Sequence, residues 1–273
     1  MKKVLFASTA LVATAGVAAA DVSLSGSADM GLSYNGTSTV VVNDIDINVV
    51  GSASTDGGLT LGASVDLDAS SNNSAHTTGG GASDPEVFLS YEGLTLTVGD
   101  IGEASSQGGL SDVGFDGIGI DNVAEIGNFG SHDVNVAYSF GDISASLSID
   151  SDNANNDWGV GVSTSFDSVS IAVGFGETGG VNQSTATVGF SSGAFGAKVF
   201  YVDNGVNTGQ GVDVSYTSGD VTITAVYADS NVAGTPSAYG IGFAYDLGGA
   251  TLAGGFGEAN NTSVADLGIS FSF

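Results

Sequence analysis

The sequence ends in Val264-Ala265-Asp266-Leu267-Gly268-Ile269-Ser270-Phe271-Ser272-Phe273, a run in which apolar residues alternate with small or polar ones. A period of two is typical of a β-strand, because successive side chains point to opposite faces of a sheet. The run is also long enough for a tilted strand to cross the hydrocarbon core of a membrane, which takes about 9–11 residues. It therefore predicts a strand with one apolar side and one side that faces water.

The same alternation recurs along the chain, for example in 134–140, 158–162, 169–175 and 239–245. The second face carries Gly, Ser, Thr, Asn and Asp, which suit water and would make a poor core. A soluble β-sandwich has the same period, but it covers its outer face with Lys, Glu and Arg, and this chain has only 3 Lys+Arg among 273 residues. We therefore predict an all-β fold, a transmembrane antiparallel up-and-down β-barrel.

The connections between the predicted strands alternate between short and long. Short turns rich in Gly, Ser and Asp, which are typical of tight hairpins, fall at 92–93, 141–142, 218–219 and 248–249. Longer loops are predicted at 70–84, 151–156, 176–182, 203–209, 229–236 and 257–262. Counting hairpins gives about sixteen strands, an even number as bacterial barrels require, with the fourth at 86–92. Such a barrel is too wide for side chains to fill, so it leaves an aqueous channel.

One segment, 100–131, breaks the alternation. It is rich in Gly and acidic residues, and it is too irregular for a strand or an amphipathic helix. A loop of this length inside a compact structure is usually either functional or disordered. We predict that it folds into the bore of the barrel and constricts the channel. Its acidic side chains are the candidate constriction residues, namely Asp100, Glu103, Asp112, Asp116, Asp121 and Glu125.

Residues 1–20 have the features of a secretory signal peptide. Lys2 and Lys3 form a positive start, residues 4–17 are mainly apolar, and Ala18-Ala19-Ala20 is a small-residue cleavage site. The alternative is a membrane-spanning helix, but the apolar run is short and is diluted with Ser, Thr and Gly. We predict export and cleavage before Asp21, which leaves 21–273 as the barrel.

Beyond residue 20 the chain is strongly acidic, with all 30 Asp+Glu residues, no Arg, and Lys198 as its only Lys. Nucleic acid and anionic lipid surfaces are not expected as partners, because clusters of Lys and Arg bind both. Crowded carboxylates could instead hold Ca²⁺, which takes several oxygen ligands. No EF-hand pattern occurs, so the sequence names no ligands for calcium, and no other cofactor is expected.

Two histidines, His76 and His132, are the candidates for acid–base catalysis. Neither has a Ser or Asp partner at a recognisable spacing, so no catalytic residue is predicted and the chain is not expected to be an enzyme. The other alternative is a secreted acidic β-rich surface or adhesin protein without channel activity, which the composition would allow.

The sequence resembles alphaproteobacterial general porins of the Rhodobacter type. The resemblance lies in DVSLSGSADMGLSYNG at 21–36, in YDLGGA at 245–250 with the quoted tail, and in Val98-Gly99-Asp100 followed by Asp112-Val113-Gly114-Phe115. It implies a homotrimer of sixteen-stranded barrels in the outer membrane of a Gram-negative bacterium, each a multi-pass passive pore for ions and small hydrophilic solutes. It also implies that the third external loop narrows the pore, that the second, here 70–84, reaches a neighbouring subunit, and that the insertion machinery reads the terminal Phe273.

In that family the loop acids face basic side chains on the wall, and here the sequence departs from the pattern. Lys198 falls on the predicted inner face of its strand but stands alone. The other candidate pore-wall residues are acidic, namely Asp29, Asp44, Asp46, Asp66, Asp68 and Asp213. Because a ring of carboxylates attracts cations, we predict a cation-selective channel. The alternative is that the acidity is an adaptation to a salty habitat.

Overall fold

The computed structural model describes residues 20–71, 79–127, 129–152 and 155–273. In these ranges sixteen antiparallel strands follow one another around a single closed barrel, so the predicted all-β barrel is confirmed. The strands are β1 (Asp21–Tyr34), β2 (Thr39–Ser54), β3 (Thr60–Ser71), β4 (Gly79–Tyr91), β5 (Leu94–Gly102), β6 (Ser131–Phe140), β7 (Ile143–Ile149), β8 (Trp158–Phe166), β9 (Val169–Thr178), β10 (Val181–Ser192), β11 (Phe195–Asp203), β12 (Thr208–Ser218), β13 (Val221–Ser230), β14 (Ala238–Asp246), β15 (Thr251–Ala259) and β16 (Thr262–Ser272). A short 3-10 helix spans Asp121–Val123. Among the described residues, no helix has the length and apolar character needed to cross a membrane.

The barrel closes between its first and last strands. β1 and β16 pair from Ser27 with Ser272 to Tyr34 with Ala265. Beyond the last strand, Gly26 and Phe273 exchange both backbone hydrogen bonds, each with an N to O distance of 2.9 Å. Closure removes the free strand edges, so the backbone polar groups of the wall are paired within the protein, as a hydrocarbon environment requires.

Large apolar side chains are exposed on one face of the strands. In β16, Leu267 is 49% exposed, whereas Asp266 and Gly268 on either side of it are buried. Soluble proteins rarely expose apolar patches of such extent, whereas a membrane barrel presents an apolar band to lipid. The apolar face is therefore the outer one, and the face with Gly, Ser and Asp lines the interior.

The predicted loop at 70–84 and the predicted start of the fourth strand at residue 86 are wrong. β4 begins at Gly79, and the ladder with β3 extends as far as Ser70 paired with Gly79. Gly79-Gly80-Gly81 offers no side chains to alternate, so the pattern missed these residues, although a strand ladder needs only backbone groups. The rest of the predicted loop, 72–78, which includes His76, lies outside the described residues.

Two other predicted long loops, 176–182 and 257–262, are also wrong. β9 and β10 are joined by Gly179-Gly180, and β15 and β16 by Asn260-Asn261. All four residues have positive φ, between 53° and 80°. Gly and Asn tolerate this conformation, and two-residue hairpins with the twist of the strands require it. The residues in the turns therefore set the length of these connections at two residues, whereas the spacing of apolar residues suggested longer loops.

Residues 103–130, which we call the inner loop, connect β5 to β6 and pack against the inner face of the wall. Ile120, which is 1% exposed, belongs to one buried cluster with the inward-facing Val202 and Val226. The other buried members of this cluster are Leu110, Val113, Ile118, Val123, Ala124, Phe200, Ala228, Ala238 and Ala259. The interior thus contains an apolar core between loop and wall, where the alternation suggested only small and polar side chains.

Replacing Ile120 with Ala should loosen the inner loop and leave the barrel intact. Truncating a buried Ile costs about 2–5 kcal/mol, and here that loss falls on contacts between loop and wall. We expect limited proteolysis to cut I120A within the inner loop faster than wild type, with unchanged heat-dependent migration of the barrel in electrophoresis. V206A, at a position that is 76% exposed, is the control. Equal cleavage of I120A and wild type would show that this core does not hold the loop.

Candidate functional site

The inner loop runs along a strip of wall in which several residues are glycines that lie against it. A Cβ atom at Gly242 in β14 would lie 2.8 Å from Cγ1 of Val113, and one at Gly255 in β15 would lie 2.9 Å from Cα of Gly114. At the other end of the strip, a Cβ at Gly159 in β8 would lie 2.8 Å from the backbone N of Ser105. Real Cβ atoms do not approach this closely, so the loop can lie against the wall at these three positions only because they are glycines.

Asp266, a buried carboxylate of β16, holds the middle of the inner loop. Its Oδ2 accepts the backbone N–H groups of Phe115 at 2.9 Å and Asp116 at 3.0 Å, and its Oδ1 accepts that of Gly255 at 2.7 Å. Hydrogen bonds to an ionised acceptor are about twice as strong as neutral ones. The sequence analysis did not single out Asp266, although an Asp in the middle of a glycine-rich inner face was a visible signal.

Asp213, a predicted pore-wall residue, also binds the loop. Its Oδ2 accepts the backbone N–H of Ser111 at 2.8 Å, and Nζ of Lys198 lies 3.4 Å from the same oxygen. Lys198 Nζ also donates to Oγ of Ser111 at 3.3 Å. Asp213 is only 4% exposed, so the loop covers it, whereas the Lys198 side chain is 30% exposed. The charge of Lys198 is therefore compensated at the wall by its neighbour.

Glu103, a predicted constriction residue, lies at the base of the inner loop and is 3% exposed. Its carboxylate accepts hydrogen bonds from Gln183 Nε2 at 3.1 Å, Thr178 Oγ1 at 2.7 Å and the backbone N of Gly130 at 3.3 Å, and also from the hydroxyl of Ser105. Because Gly130 ends the loop that Glu103 begins, this carboxylate joins the two ends of the loop to the wall.

His132 completes the base of the loop, with Ser148 and Glu103 on either side of its ring. The sequence spacing gave no sign of this grouping, which has the residue types of a Ser, His and acid triad. Ser148 is 0% and His132 3% exposed, so no substrate can reach the hydroxyl. The arrangement is a packed support for the loop and has no access for catalysis.

Within the loop, Asp112, Asp121 and Glu125 lie close together. Burial, together with repulsion from the neighbouring carboxylates Asp112 and Glu125, raises the pKa of Asp121 to about 6. Burial also raises the pKa of Glu125, although its hydrogen bond from the backbone N of Leu110, at 2.6 Å, acts in the opposite direction. The loop thus contains carboxyl groups whose negative charges repel one another, so ionising one of them disfavours ionising the next.

The five remaining candidate pore-wall residues form an acidic group on β1, β2 and β3 that we call the acidic wall. Its members are Asp29, Asp44, Asp46, Asp66 and Asp68. Cross-strand pairing sets Asp29 opposite Asp44 and Asp46 opposite Asp68, so like charges are direct neighbours. The inner loop approaches this wall at Asp116, where burial raises the carboxyl pKa and Asp266, Asp29 and Asp44 add to the rise.

The other predicted site residues lie elsewhere. Asp100 belongs to β5 with an exposed side chain, so the irregular segment starts at Glu103. Phe273 is 56% exposed beside Gly26 at the seam of the barrel. Among the described residues, no group of three or more His, Cys, Asp or Glu side chains is arranged to hold a metal ion.

Comparison with known proteins agrees with this architecture. The family model for Gram-negative porins matches residues 7–267. The chain belongs to the Gram-negative porin family. It is 28% identical over 296 residues to the porin of Fuscovulum blasticum, covering 93% of this chain and 100% of that protein. Solved structures of two Rhodopseudomonas blastica porin variants, each 24% identical, share its fold with a TM-score of 0.81, covering 93% of this chain and 100% of theirs.

The predicted resemblance to general porins is therefore confirmed. The chain is a general diffusion porin, a channel for solutes and not an enzyme. The family and the closed barrel indicate an outer-membrane protein. The adhesin alternative is not supported, because both the family and the wide closed barrel are those of a channel.

Replacing Asp121 with Asn should stabilise the inner loop at neutral pH. Because the pKa of Asp121 in the folded loop is about 6, above its ordinary 3.8, its protonated form stabilises the loop below about pH 4. That contribution, at most roughly 3 kcal/mol, is lost as the pH rises through 6. At pH 8 we expect slower hydrogen exchange in 103–130 of D121N than of wild type, and equal exchange at pH 4. Faster exchange in D121N at pH 8 would contradict this account.

Replacing Asp266 with Ala should change the current through the pore. The loop N–H groups of Phe115 and Asp116 lose their acceptor, and each unsatisfied buried donor costs about 1–3 kcal/mol. We expect a changed single-channel conductance and more open-channel noise in planar bilayers. D220A, in an exposed turn, should conduct like wild type. If D266A does so as well, this anchor does not set the width of the channel.

Proposed function

We propose that this porin is a cation-selective channel and that the inner loop is its constriction. The observation that carries the proposal is the asymmetry of the interior. The inner loop packs on β8 to β16 and on β1. Glycines of β8, β9, β12, β14, β15, β16 and β1 make room for it. The acidic wall on β1 to β3 faces the loop at Asp116. Water and ions would then pass between a loop with acidic side chains and a wall with acidic side chains.

The charges in that gap favour cations. A channel lined by one sign of charge raises the local concentration of the opposite ion, and carboxylate rings do so in cation channels. Lys198 does not offset them, because its ammonium lies 3.4 Å from the buried Asp213. At 0.1 M, salt largely screens the field of these carboxylates beyond about 10 Å. The selectivity for cations should therefore be strongest in dilute salt.

The remaining features of the proposal concern assembly. We infer that 1–20 is a signal peptide, that the strands cross the outer-membrane lipid as a multi-pass barrel, and that the exposed ring of Phe273 serves as the insertion signal. The resemblance to Rhodobacter-type porins supports a homotrimer. Analytical ultracentrifugation in detergent tests this assembly, and a mass of one chain at all concentrations would exclude it.

Selectivity is tested by the reversal potential of the refolded protein in a planar bilayer under a potassium chloride gradient. We expect stepwise conductance with a reversal potential close to that of potassium. A reversal potential near zero would show that the acidic wall does not act on the permeating ions. Absence of steps from folded, inserted protein would show that the inner loop plugs the barrel.

Two triple variants that remove the same number of charges distinguish the contribution of carboxylates in the lumen from that of carboxylates on the outer surface. D29N, D44N and D46N together remove neighbouring carboxylates of the acidic wall, and we expect the reversal potential to fall by at least half. D56N, D152N and D220N remove the same charge from exposed turns, and we expect them to keep wild-type selectivity. If both triple variants lose cation selectivity equally, the selectivity comes from the total charge of the protein. The acidity would then be an adaptation to a salty habitat, with no special role for the acidic wall.

A further inference from the structure

The base of the inner loop contains a histidine that the channel function does not use. His132 lies in β6 and is 3% exposed, and its side chain contacts both the loop and the wall. Nδ1 of the ring lies 2.7 Å from Oγ of Ser148, and the same Oγ accepts the backbone N–H of Ala104 at 2.7 Å. Ser148 thus links the ring directly to the second residue of the loop.

The other ring nitrogen has no hydrogen-bond partner among the described residues. Nε2 of His132 lies 3.9 Å from Oε2 of Glu103, which is beyond hydrogen-bonding distance. Both side chains are almost completely buried, at 1% and 0% exposure. A polar nitrogen that is buried without a partner is rare and costly. Here it points toward a carboxylate that binds both ends of the loop.

We propose that His132 is a positioning residue for the inner loop, and that protonation of its ring strengthens the attachment of Glu103. A second proton on the ring, so that both nitrogens carry one, turns a neutral neighbour of the carboxylate into a cation, and burial makes this attraction stronger than it would be in water. Imidazole is the side chain whose charge normally changes within the physiological pH range. The inference rests on the proposed role of the inner loop as the constriction.

The surrounding charges act in the same direction. The charged side chains on β5, β6 and β9, in the connection 150–157 and at the base of the inner loop are Asp100, Asp133, Glu177, Asp150, Asp152, Asp157 and Glu103. All of them are acidic, and the only lysine beyond residue 20 is Lys198 on β11. None of these charges repels an imidazolium ion. The loop should therefore be held more firmly when the ring is protonated and Glu103 is ionised than when the ring is neutral.

The first test observes the ring directly. The chain has two histidines, so H76Q leaves His132 as the only imidazole in the NMR spectrum of the protein in detergent micelles. The signals of its ring nitrogens are followed as the pH is varied. In H76Q/E103Q, which lacks the carboxylate charge, the ring should take its proton only at lower pH. Identical titrations with and without E103Q would overturn the proposed pairing.

The second test measures the effect on the channel. All variants carry D121N, so that the carboxyl that titrates near pH 6 is absent. We expect the voltage that closes the D121N pore to be higher at about pH 5 than at about pH 8, and H132Q and E103Q each to abolish this difference. The double variant should add nothing to either single one, because the two residues act as a pair.

The outcomes separate this inference from the proposed function. If the refolded protein shows no conductance steps, or a reversal potential near zero, the proposed function fails, and the NMR titration still decides whether His132 pairs with Glu103. If D266A alters the current but H132Q keeps the D121N pH response, only the role of His132 is wrong. A variant H132Q that fails to fold is replaced by E103Q, which leaves the ring in place and removes the charge it responds to.

Discussion

The structure depends on one steric constraint: where the inner loop lies directly against the backbone of the wall, the wall residue must be glycine. Gly242 and Gly255 leave no space for a Cβ beside Val113 and Gly114. Backbone groups brought inside must also be hydrogen-bonded, and buried carboxylates such as Asp266 accept them. Glycines therefore fix where the loop lies, and buried acids fix how it is oriented.

That constraint divides the acids into two groups. Glu103 and Asp266 lie against donors and act as fixed acceptors for the loop. Asp29 and Asp44 instead face each other across a strand pair, and the one lysine of the described residues, Lys198, lies against Asp213. Since the loop covers one side of the interior, the second group remains on the other side. Carboxylates thus bind the inner loop in one half of the barrel, and in the other half they supply the negative electrostatic field of the channel.

The sequence predicted the wall well, because every strand with a lipid side and a water side shows period-two alternation. The prediction failed at the start of β4, because Gly79 and its neighbours have no side chains that could alternate. It also failed at the turn between β15 and β16, because Asn260 and Asn261 form a two-residue turn that the spacing of apolar residues does not reveal. The sequence could not predict which acids of the loop are buried. Glu103 and Asp112 are both acids in an irregular segment, and only the fold places Gln183 and Thr178 beside Glu103. One signal was present, the apolar run Val199-Phe200-Tyr201-Val202, which indicates a strand buried on both faces.

The position of Lys198 follows from the same reasoning. A lone cation on an acidic inner face has no basic neighbours with which to form a transverse field, and its nearest carboxylate, Asp213, is already used by Ser111 of the loop. Removing water from Asp213 alone would be costly, because a buried charge needs a partner. Lys198 supplies that partner at the point where the loop covers the wall. The one lysine of the barrel therefore balances an attachment of the loop, and the field across the open part of the channel is left to the acids.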